Sequence, residues 1–255
     1  MPKARITAII NQKGGVAKTT TAHALSTGLT LRGYKVLTID TDPQGNLSGT
    51  MDADITLPGI YNAFCGDEEH DLVQHTAHGD MIASNQALIG ADRVFNDIGR
   101  EYLLREALQH YSDLYDHIII DCPPTISIIT INALTAATDL IVPVGADIYS
   151  LQGMGQLFDN INKVQKFSNP NLKIAGLLIC RKNGRAVLTK QFSDYIGDLA
   201  AKQNVSLYRQ SIREAIAVKE SQAQHTSLFI SHPKASVTAD YNAFIDEYLQ
   251  QEKGE

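Results

Sequence analysis

One stretch near the start of the chain combines glycine, lysine and threonine in an order suited to binding phosphate. It reads Asn-Gln-Lys-Gly-Gly-Val-Ala-Lys-Thr-Thr over residues 11–20 and follows the apolar run Ile6–Ile10. A strand, a glycine-containing turn and a helix start together direct backbone N–H groups and the helix dipole at an anion. Lys18 would reach the β- and γ-phosphates, and the Thr19 hydroxyl would ligate Mg²⁺. The stretch therefore predicts a nucleoside triphosphate as the substrate.

The spacing departs from the common phosphate-loop pattern. That pattern has a glycine six positions before the lysine, whereas this chain has Gln12 there and a second lysine, Lys13, before the two glycines. Ala17 stands directly before Lys18. If its backbone requires a positive φ, alanine costs about 1–2 kcal/mol at this position. We expect nucleotide binding to be retained, while the effect of Ala17 on hydrolysis stays open.

Three carboxylates follow apolar runs and complete a possible phosphoryl-transfer site. Asp40 and Asp42 are alternate residues after the second run, so both side chains can face the same side. Asp121 ends an Ile-Ile-Ile-Asp run, which is the Walker B pattern of an aspartate that holds Mg²⁺ directly or through water. Phosphoryl transfer requires charge neutralisation and a positioned water more than covalent chemistry. A carboxylate near the γ-phosphate suits the role of general base or water-orienting group.

Alternating strands and helices must position these residues. The predicted strands are Ile6–Ile10, Lys35–Asp40, His117–Asp121, Leu140–Val144, Ile174–Ile179 and Ser206–Ile212, with a weaker one at Met81–Ser84. The predicted helices are Lys18–Arg32, Arg100–Tyr111, Ile126–Ala137, Gln152–Phe167, Thr189–Gln203, Glu214–Gln222 and Ser236–Gln250. This alternation predicts an α/β fold with a doubly wound, mainly parallel sheet flanked by helices.

Such a fold would bring the polar clusters together. Ligands of doubly wound sheets bind at the carboxyl ends of the strands, where residues 11–13, 40–42 and 121–124 would lie. The acidic, histidine-containing region 66–80 is predicted to be an exposed loop. Residues 1–255 contain no repeat, low-complexity stretch or linker, so we predict a single P-loop ATPase domain.

Composition narrows the class of protein further. Apolar residues make up 44% of the 255, yet no apolar run approaches the ~18 residues of a spanning helix. The first residues lead straight into a strand, so no signal peptide is expected. Three widely spaced cysteines, Cys65, Cys122 and Cys180, fit a reducing cytosol and show no metal-ligand spacing.

Charge is distributed unevenly along the chain. The formal net charge is −6, which argues against a globally basic nucleic-acid binder. The segment 181–219, however, carries eight Lys or Arg against three Asp or Glu. A basic patch on an acidic protein can bind a polyanion locally, although an ordinary solvated surface would show the same composition.

Three motifs carry a resemblance to a known family. They are Lys13-Gly-Gly-Val-Ala-Lys-Thr-Thr20, Ile39-Asp-Thr-Asp-Pro-Gln-Gly-Asn46 and Ile120-Asp-Cys-Pro-Pro124. This layout resembles the ParA/Soj partition ATPases, of the deviant Walker A (ParA/MinD) class. The similarity continues through 143–144, 151–153, 212–220 and the C-terminal helix around 240–248, and so covers nearly all of the chain.

The resemblance implies roles for individual residues. Lys13 would act across an ATP-sandwiched homodimer, and Asp42 would position the attacking water. Thr19 would bind Mg²⁺, while Asp40 and Asp121 would hold it through water. The implied ATP-binding residues are Lys13, Gly14, Gly15, Val16, Ala17, Lys18, Thr19 and Thr20.

The family also implies partners. Its members bind DNA non-specifically as ATP dimers and leave it when a ParB-type partner stimulates hydrolysis to ADP, so we expect a cytoplasmic, nucleoid-associated protein. The expected DNA contacts are Arg185, Lys190, Arg213 and Lys219. Arg213 and Ala215 could instead lie at the adenine edge, where the family usually has Asn in place of Ala215. Little sequence precedes the first strand, so a helix-turn-helix domain and operator binding are not expected, and binding should be strongly salt-dependent.

Other functions share this scaffold. A ParA-like ATPase that positions a protein cargo would have the same cycle and a different partner. A MinD-like membrane ATPase needs a basic amphipathic C-terminal helix, and the tail 248–255 is short and polar. An iron–sulfur reductase needs a paired cysteine that Cys122 lacks in the sequence. A non-hydrolysing, nucleotide-gated scaffold is suggested by Ala17 alone.

Overall fold

The described strands form one seven-stranded sheet. The computed structural model describes residues 3–67, 69–146, 153–182 and 187–253. Its strands are Arg5–Ile9 (β1), Val36–Asp40 (β2), Gln74–Thr76 (β3), Gly79–Ile82 (β4), His117–Asp121 (β5), Asp139–Gly145 (β6) and Lys173–Cys180 (β7). They lie in the order β3-β4-β2-β5-β1-β6-β7, and β3 pairs antiparallel to β4 while the other pairs are parallel. The prediction of a doubly wound, mainly parallel sheet is therefore confirmed.

Helices cover both faces of this sheet. They are Lys18–Thr30 (α1), Asn46–Thr50 (α2), Ile60–Phe64 (α3), Ala91–Val94 (α4), Leu103–Ala107 (α5), Ile128–Ala136 (α6), Met154–Phe167 (α7), Val187–Lys202 (α8), Ile216–Ala223 (α9), Leu228–Ser231 (α10) and Ser236–Lys253 (α11). One buried apolar cluster lies beneath α3 and α5–α8, and a second beneath α1, α2, α10 and α11. Among the described helices, none is long and apolar enough to cross a bilayer.

Strand register sets the position of the aspartates. In β2 and β5 all five residues are buried, because parallel strands are covered on both faces. The two strands pair Val36 with His117 and continue in register until Asp40 stands beside Asp121. Thr41 then donates from both its N–H and its hydroxyl to the carbonyl of Asp121, at 3.0 and 2.7 Å. Both carboxylates are thus held at the same edge of the sheet.

The predicted strand Ser206–Ile212 is wrong. The chain follows β7 there, but it pairs only at isolated bridges, Leu177 with Leu207 and Lys182 with Arg213. Between these bridges the N–H groups of Arg209 and Gln210 donate to the Glu247 carboxylate on α11. A side chain therefore takes the donors that a strand would use, and the ladder is interrupted.

The prediction of one continuous helix over Arg100–Tyr111 is also wrong, because the segment forms separate short turns and one short helix. The segment consists of a 3₁₀ turn at Arg100–Tyr102, the short α5 and a second 3₁₀ turn at Tyr111–Asp113. The Asn132 side chain of α6 donates to the Arg100 carbonyl and accepts from the Leu104 N–H, which diverts backbone groups from a continuous helix. The prediction of an exposed loop over 66–80 is wrong in part, because β3 and the start of β4 lie within it.

Helix α1 contains a buried histidine whose titration should affect stability. His23 is 7% exposed, and its ring meets that of His78 on the β3–β4 turn with centroids 5.7 Å apart. Its Nε2 has no hydrogen-bond partner among the described residues. Burial, together with the neighbouring His78, lowers the pKa of His23 to about 4. The folded protein therefore holds this imidazole neutral at pH values where the unfolded chain protonates it.

We expect this difference to destabilise the protein in mild acid. Between the unfolded pKa of about 6.5 and the folded value near 4, the unfolded state binds more protons, so stability falls as pH falls. The loss from pH 7 to pH 5 should be about 2 kcal/mol smaller in His23→Gln than in the native chain. Urea unfolding of both proteins at the two pH values measures it. Equal pH dependence in both proteins would contradict the assignment.

Candidate functional site

A cleft of about 1040 Å³ lies at the carboxyl ends of the parallel strands. Its walls come from the phosphate loop, the segment after β2, the loop after β5 and the segment after β7. The residues that the predictions named and that line it are Gly14, Gly15, Ala17, Lys18, Thr19, Thr20, Asp42, Arg213, Ala215 and Lys219. The tertiary fold thus brings together groups that are up to 200 residues apart in sequence.

The phosphate loop is tied to the sheet at its first residue. The Asn11 side chain donates to the Pro143 carbonyl of β6 at 2.7 Å and accepts from the Lys13 N–H at 2.9 Å. Val16 is buried beneath the loop, whereas Gly14 and Gly15 are exposed toward the cleft. The loop therefore presents its backbone to a ligand while its apolar residue is anchored in the core.

Ala17 has a left-handed backbone. Its φ is 75° and its ψ is 30°, and it forms the N-cap of α1 without a side-chain hydrogen bond. This conformation places Cβ close to the following carbonyl and costs about 1–2 kcal/mol for a residue other than glycine. Ala17 therefore has the positive φ at which alanine is unfavourable, and this strained residue directly precedes Lys18.

Ala17→Gly should stabilise the protein. Relief of the left-handed strain exceeds the extra backbone entropy of an unfolded glycine, so we expect a gain of about 0.5–1 kcal/mol in the free energy of unfolding. Ala24→Gly, within the right-handed part of α1, is the matched control and should lose about 1 kcal/mol. Chemical denaturation of both variants compares them, and a destabilised Ala17→Gly would refute the strain.

Lys18 is buried at the base of the cleft. Its side chain donates to the carbonyl of Lys13 at 3.2 Å, so the ammonium lies inside the curve of the phosphate loop. Burial lowers the pKa of Lys18, and the nearby charges of Asp121 and Asp42 oppose that shift. A desolvated ammonium of this kind interacts strongly with an anion that enters the loop.

Asp121 carries unsatisfied acceptors at the end of β5. It is 1% exposed, and neither carboxylate oxygen has a hydrogen-bond partner in the described part of the chain. Burial and the neighbouring Asp40 raise its pKa well above the usual value, while Thr19 and Lys18 oppose the shift. Two buried, unpartnered oxygens beside a hydroxyl are a donor set that suits a hard divalent cation.

Asp40 is engaged differently from Asp121. One of its oxygens accepts from the Asp42 N–H at 3.0 Å, and the other accepts from the N–H and hydroxyl of Ser48, both at 2.8 Å. Burial raises the pKa of Asp40 to about 6, although the hydrogen bonds from Ser48 oppose it. Its predicted role in holding a metal through water stays a prediction, because protein donors already contact both oxygens.

Asp42 lies at the mouth of the cleft. The residue is half-buried, and its side chain accepts from the Gln44 N–H at 3.0 Å in a turn through Pro43. Its carbonyl accepts from the Gly45 N–H at 2.9 Å. The carboxylate is therefore presented to the phosphate side of the cleft by a short, hydrogen-bonded loop.

Two arginines also line the cleft. Arg181 follows β7 and donates to the Gly15 carbonyl and to the Glu214 carboxylate, both at 2.9 Å. Arg213 forms a two-point ion pair with Asp240 at 2.6 and 2.8 Å. Both guanidinium groups thus have acidic partners within the chain.

Two predicted DNA contacts cannot be placed. Arg185 lies outside the described residues, and Lys190 lies in α8, where its side chain is outside the described part. Lys219 is exposed and, like Arg213, lines the cleft. The predicted DNA contacts that can be located therefore border the nucleotide cleft.

The arrangement matches known proteins. Residues 4–174 match the AAA_31 family, described as an AAA domain. The sporulation initiation inhibitor protein Soj of Bacillus subtilis is 37% identical over 218 residues, which cover 80% of this chain and 86% of that protein. The chromosome partitioning protein ParA of Caulobacter vibrioides is 32% identical over 257 residues, covering 98% and 95%. The chain belongs to the ParA/Soj family of P-loop ATPases.

A solved structure supports the chemistry of this family. Cobyrinic acid a,c-diamide synthase from Mycobacterium smegmatis, with bound ATP analog and magnesium, superposes with a TM-score of 0.85. It is 31% identical, and the match covers 98% of this chain and 96% of that one. Together with the family match, this establishes the present ParA/Soj-family chain as an ATPase that uses Mg²⁺.

The residues present fit that cation. The unpartnered oxygens of Asp121 and the nearby Thr19 hydroxyl would hold Mg²⁺ beside the phosphate loop. When bound, Mg²⁺ supplies charge neutralisation for the phosphate oxygens. The chain itself would contribute the buried Lys18 ammonium and the backbone donors of residues 14–20.

Sequence reasoning missed several residues of this ParA/Soj-family cleft. Arg181 was counted only as part of a basic segment, although it directly follows an apolar strand, as the three aspartates do. Gln222 of α9 donates to the Thr20 hydroxyl at 3.1 Å and carries no sequence signal. The rule that ligands bind at the carboxyl ends of strands would have found Arg181, whereas Gln222 depends on how α9 packs.

Proposed function

We propose that this chain is an ATP-gated DNA-partition switch. It forms a homodimer around ATP, binds DNA without sequence preference, and leaves the DNA when a ParB-type partner stimulates hydrolysis. Residues 1–255 act as one ATPase domain in the cytoplasm, at the nucleoid. The observation that carries the proposal is the cleft lined by Lys18 and Asp42, with the buried Asp121 close enough to act on the Lys18 charge, in a chain whose relatives are named for chromosome partitioning.

The proposed division of labour follows the positions of the side chains. Residues 14–20 bind the phosphates, and Lys18 neutralises the charge that develops during transfer. Asp42 orients the attacking water, because its carboxylate is near the phosphate side and is more accessible than Asp40 or Asp121. Asp121 and Asp40 support the cation, with Asp121 better supplied with available oxygens.

Lys13 supports the proposed dimer. Lys13 is the additional lysine that precedes the two glycines of the phosphate loop, as in the deviant Walker A pattern. On the strength of that resemblance, we propose that Lys13 contacts the phosphates bound by the second copy.

The DNA-binding part of the proposal rests on charge. Arg181 and Arg213 are paired with Glu214 and Asp240, and paired arginines add little net positive potential. Lys202 and Arg209 are exposed, in addition to Lys219 at the cleft. We propose that these exposed residues contact DNA phosphates, together with Arg185 and the Lys190 side chain, which lie outside the described part of the chain.

The decisive experiment measures DNA binding against nucleotide state. Purified protein is titrated onto random-sequence duplex DNA with ATP, with ADP and without nucleotide, across a salt series. The proposal requires that the protein bind DNA tightly with ATP but not with ADP or without nucleotide. It also requires that the affinity for DNA fall steeply as the salt concentration rises, because phosphate contacts release counterions. The double substitution Lys202→Ala with Arg209→Ala should reduce the slope of log affinity against log salt concentration by up to about two.

The outcome also separates the alternatives. ATP turnover without DNA binding would remove the partition role, together with the protein-cargo ATPase that shares its cycle, and would favour a synthase like the M. smegmatis relative. Pelleting with liposomes in ATP would favour a membrane ATPase. Tight ATP binding with no turnover, even with DNA and partner present, would favour a non-hydrolysing scaffold.

A further inference from the structure

Asp42 is held from outside its own loop by a buried serine. The Ser84 hydroxyl donates to the Asp42 carbonyl at 2.6 Å. The Ser84 N–H donates to the Ser48 hydroxyl at 2.9 Å, which in turn donates to the Asp40 carboxylate at 2.8 Å. Ser84 is 1% exposed and Ser48 is fully buried. The four residues thus form a continuous hydrogen-bonded chain.

This chain connects two neighbouring strands. Asp40 ends β2, and Ser84 follows β4, which pairs with β2 in parallel register. Asp40 accepts from the N–H of Asp42, so the backbone of Asp42 is held at both its amide and its carbonyl. The orientation of the Asp42 carboxylate is therefore set by the sheet as well as by its own turn.

We propose that Ser84 is a positioning residue for ATP hydrolysis. It fixes the backbone of Asp42 so that the carboxylate holds water in line with the phosphate. The inference rests on the proposed role of Asp42. A misplacement of about 1 Å in a catalytic group can lower the rate about 10²-fold, so a hydrogen bond that touches neither ATP nor water can still control turnover.

If Ser84 had a purely structural role, its removal would lower stability rather than turnover. The Asp42 carbonyl also accepts from the Gly45 N–H, so removal of the Ser84 hydroxyl does not leave it unsatisfied. Removal of the Ser84 hydroxyl should therefore lower the stability only slightly, whereas it directly removes a hydrogen bond that positions Asp42. Ser112 provides a matched comparison, because it is 6% exposed and its hydroxyl donates to the Gln109 carbonyl at 2.9 Å.

The test compares steady-state ATPase kinetics with ATP affinity. Ser84→Ala should lower kcat about tenfold or more, with KM and the ATP Kd within about twofold of the native values. Ser84→Thr, which restores a hydroxyl, should recover most of the rate. Ser112→Ala should keep the native kcat while its Tm falls by an amount similar to that of Ser84→Ala.

A double substitution separates the positioning role of Ser84 from the proposed role of Asp42 in hydrolysis. If Ser84 acts through Asp42, Asp42→Asn with Ser84→Ala should turn over no more slowly than Asp42→Asn alone. Native kcat in Ser84→Ala would overturn the positioning role whatever the activity of Asp42→Asn, and so would a loss in the double variant beyond the residual turnover of Asp42→Asn. Native turnover in Asp42→Asn would instead refute the proposed role of Asp42, and the positioning role with it.

Discussion

Lys18→Ala should abolish ATP binding, with an increase in Kd of about 100-fold or more. The side chain is buried at the base of the cleft and its ammonium already lies within the phosphate loop, 3.2 Å from the Lys13 carbonyl. Hydrogen bonds from a desolvated ammonium to phosphate oxygens are worth about 1.5–3 kcal/mol, and the alanine leaves nothing in their place. Isothermal titration of ATP into both proteins measures the effect.

A second lysine separates this effect from general loss of charge. Lys35 is exposed and precedes β2, at the edge of the sheet opposite the cleft. Lys35→Ala should therefore bind ATP with native affinity. Retention of native affinity in Lys18→Ala would remove the phosphate-loop assignment, whatever the control shows.

Asp42→Ala should keep ATP binding and lower kcat about 10²-fold or more. In the proposed mechanism the attacking water depends on this carboxylate and the phosphate loop does not, and a positioned base contributes about 10²–10⁴-fold to such reactions. With hydrolysis blocked, the ATP-bound dimer should accumulate on DNA. Single-turnover hydrolysis and nucleotide-dependent DNA retention measure the two consequences.

Two matched variants make this prediction specific. Asp42→Asn keeps an oxygen that can accept from the Gln44 N–H, so its turn is preserved while its charge is lost. Asp52→Asn makes the same change at an exposed residue on the chain that follows α2. We expect Asp42→Asn to lose about 10²-fold or more in kcat, as Asp42→Ala does, and Asp52→Asn to keep the native kcat. Normal turnover in Asp42→Asn would exclude Asp42 from the hydrolytic step.

Features with a local cause were predictable from the residues. The buried strands β1, β2, β5, β6 and β7 appear as continuous apolar runs, because parallel strands are covered on both faces. Their order along the chain, with helices between them, implies that polar residues at their carboxyl ends meet in one cleft. Lys18, Asp42 and Asp121 were located in this way, and the structure places all three at that edge.

Features that depend on distant side chains were not predictable. The segment 206–212 has the composition of a strand, but Glu247 on α11 takes two of its backbone donors. The segment 100–111 has helical composition, but Asn132 on α6 takes two of its backbone groups. In both cases one polar side chain from another element competes with regular backbone pairing, and no local pattern reports that competition.

The site divides along the same line. By itself the sequence determined the class of ligand and predicted the residues that would meet it, because phosphate binding requires particular residue types at fixed spacing. Only the tertiary structure decided that Ala17 has a left-handed backbone conformation. It also decided that Ser48 donates hydrogen bonds to the Asp40 carboxylate while the Asp121 oxygens have no partner among the described residues. The hydrogen bond from the Ser84 hydroxyl to the Asp42 carbonyl likewise depends on the tertiary structure. The bond between Ser84 and Asp42 arises because β2 and β4 are adjacent in the sheet although they are distant in the chain.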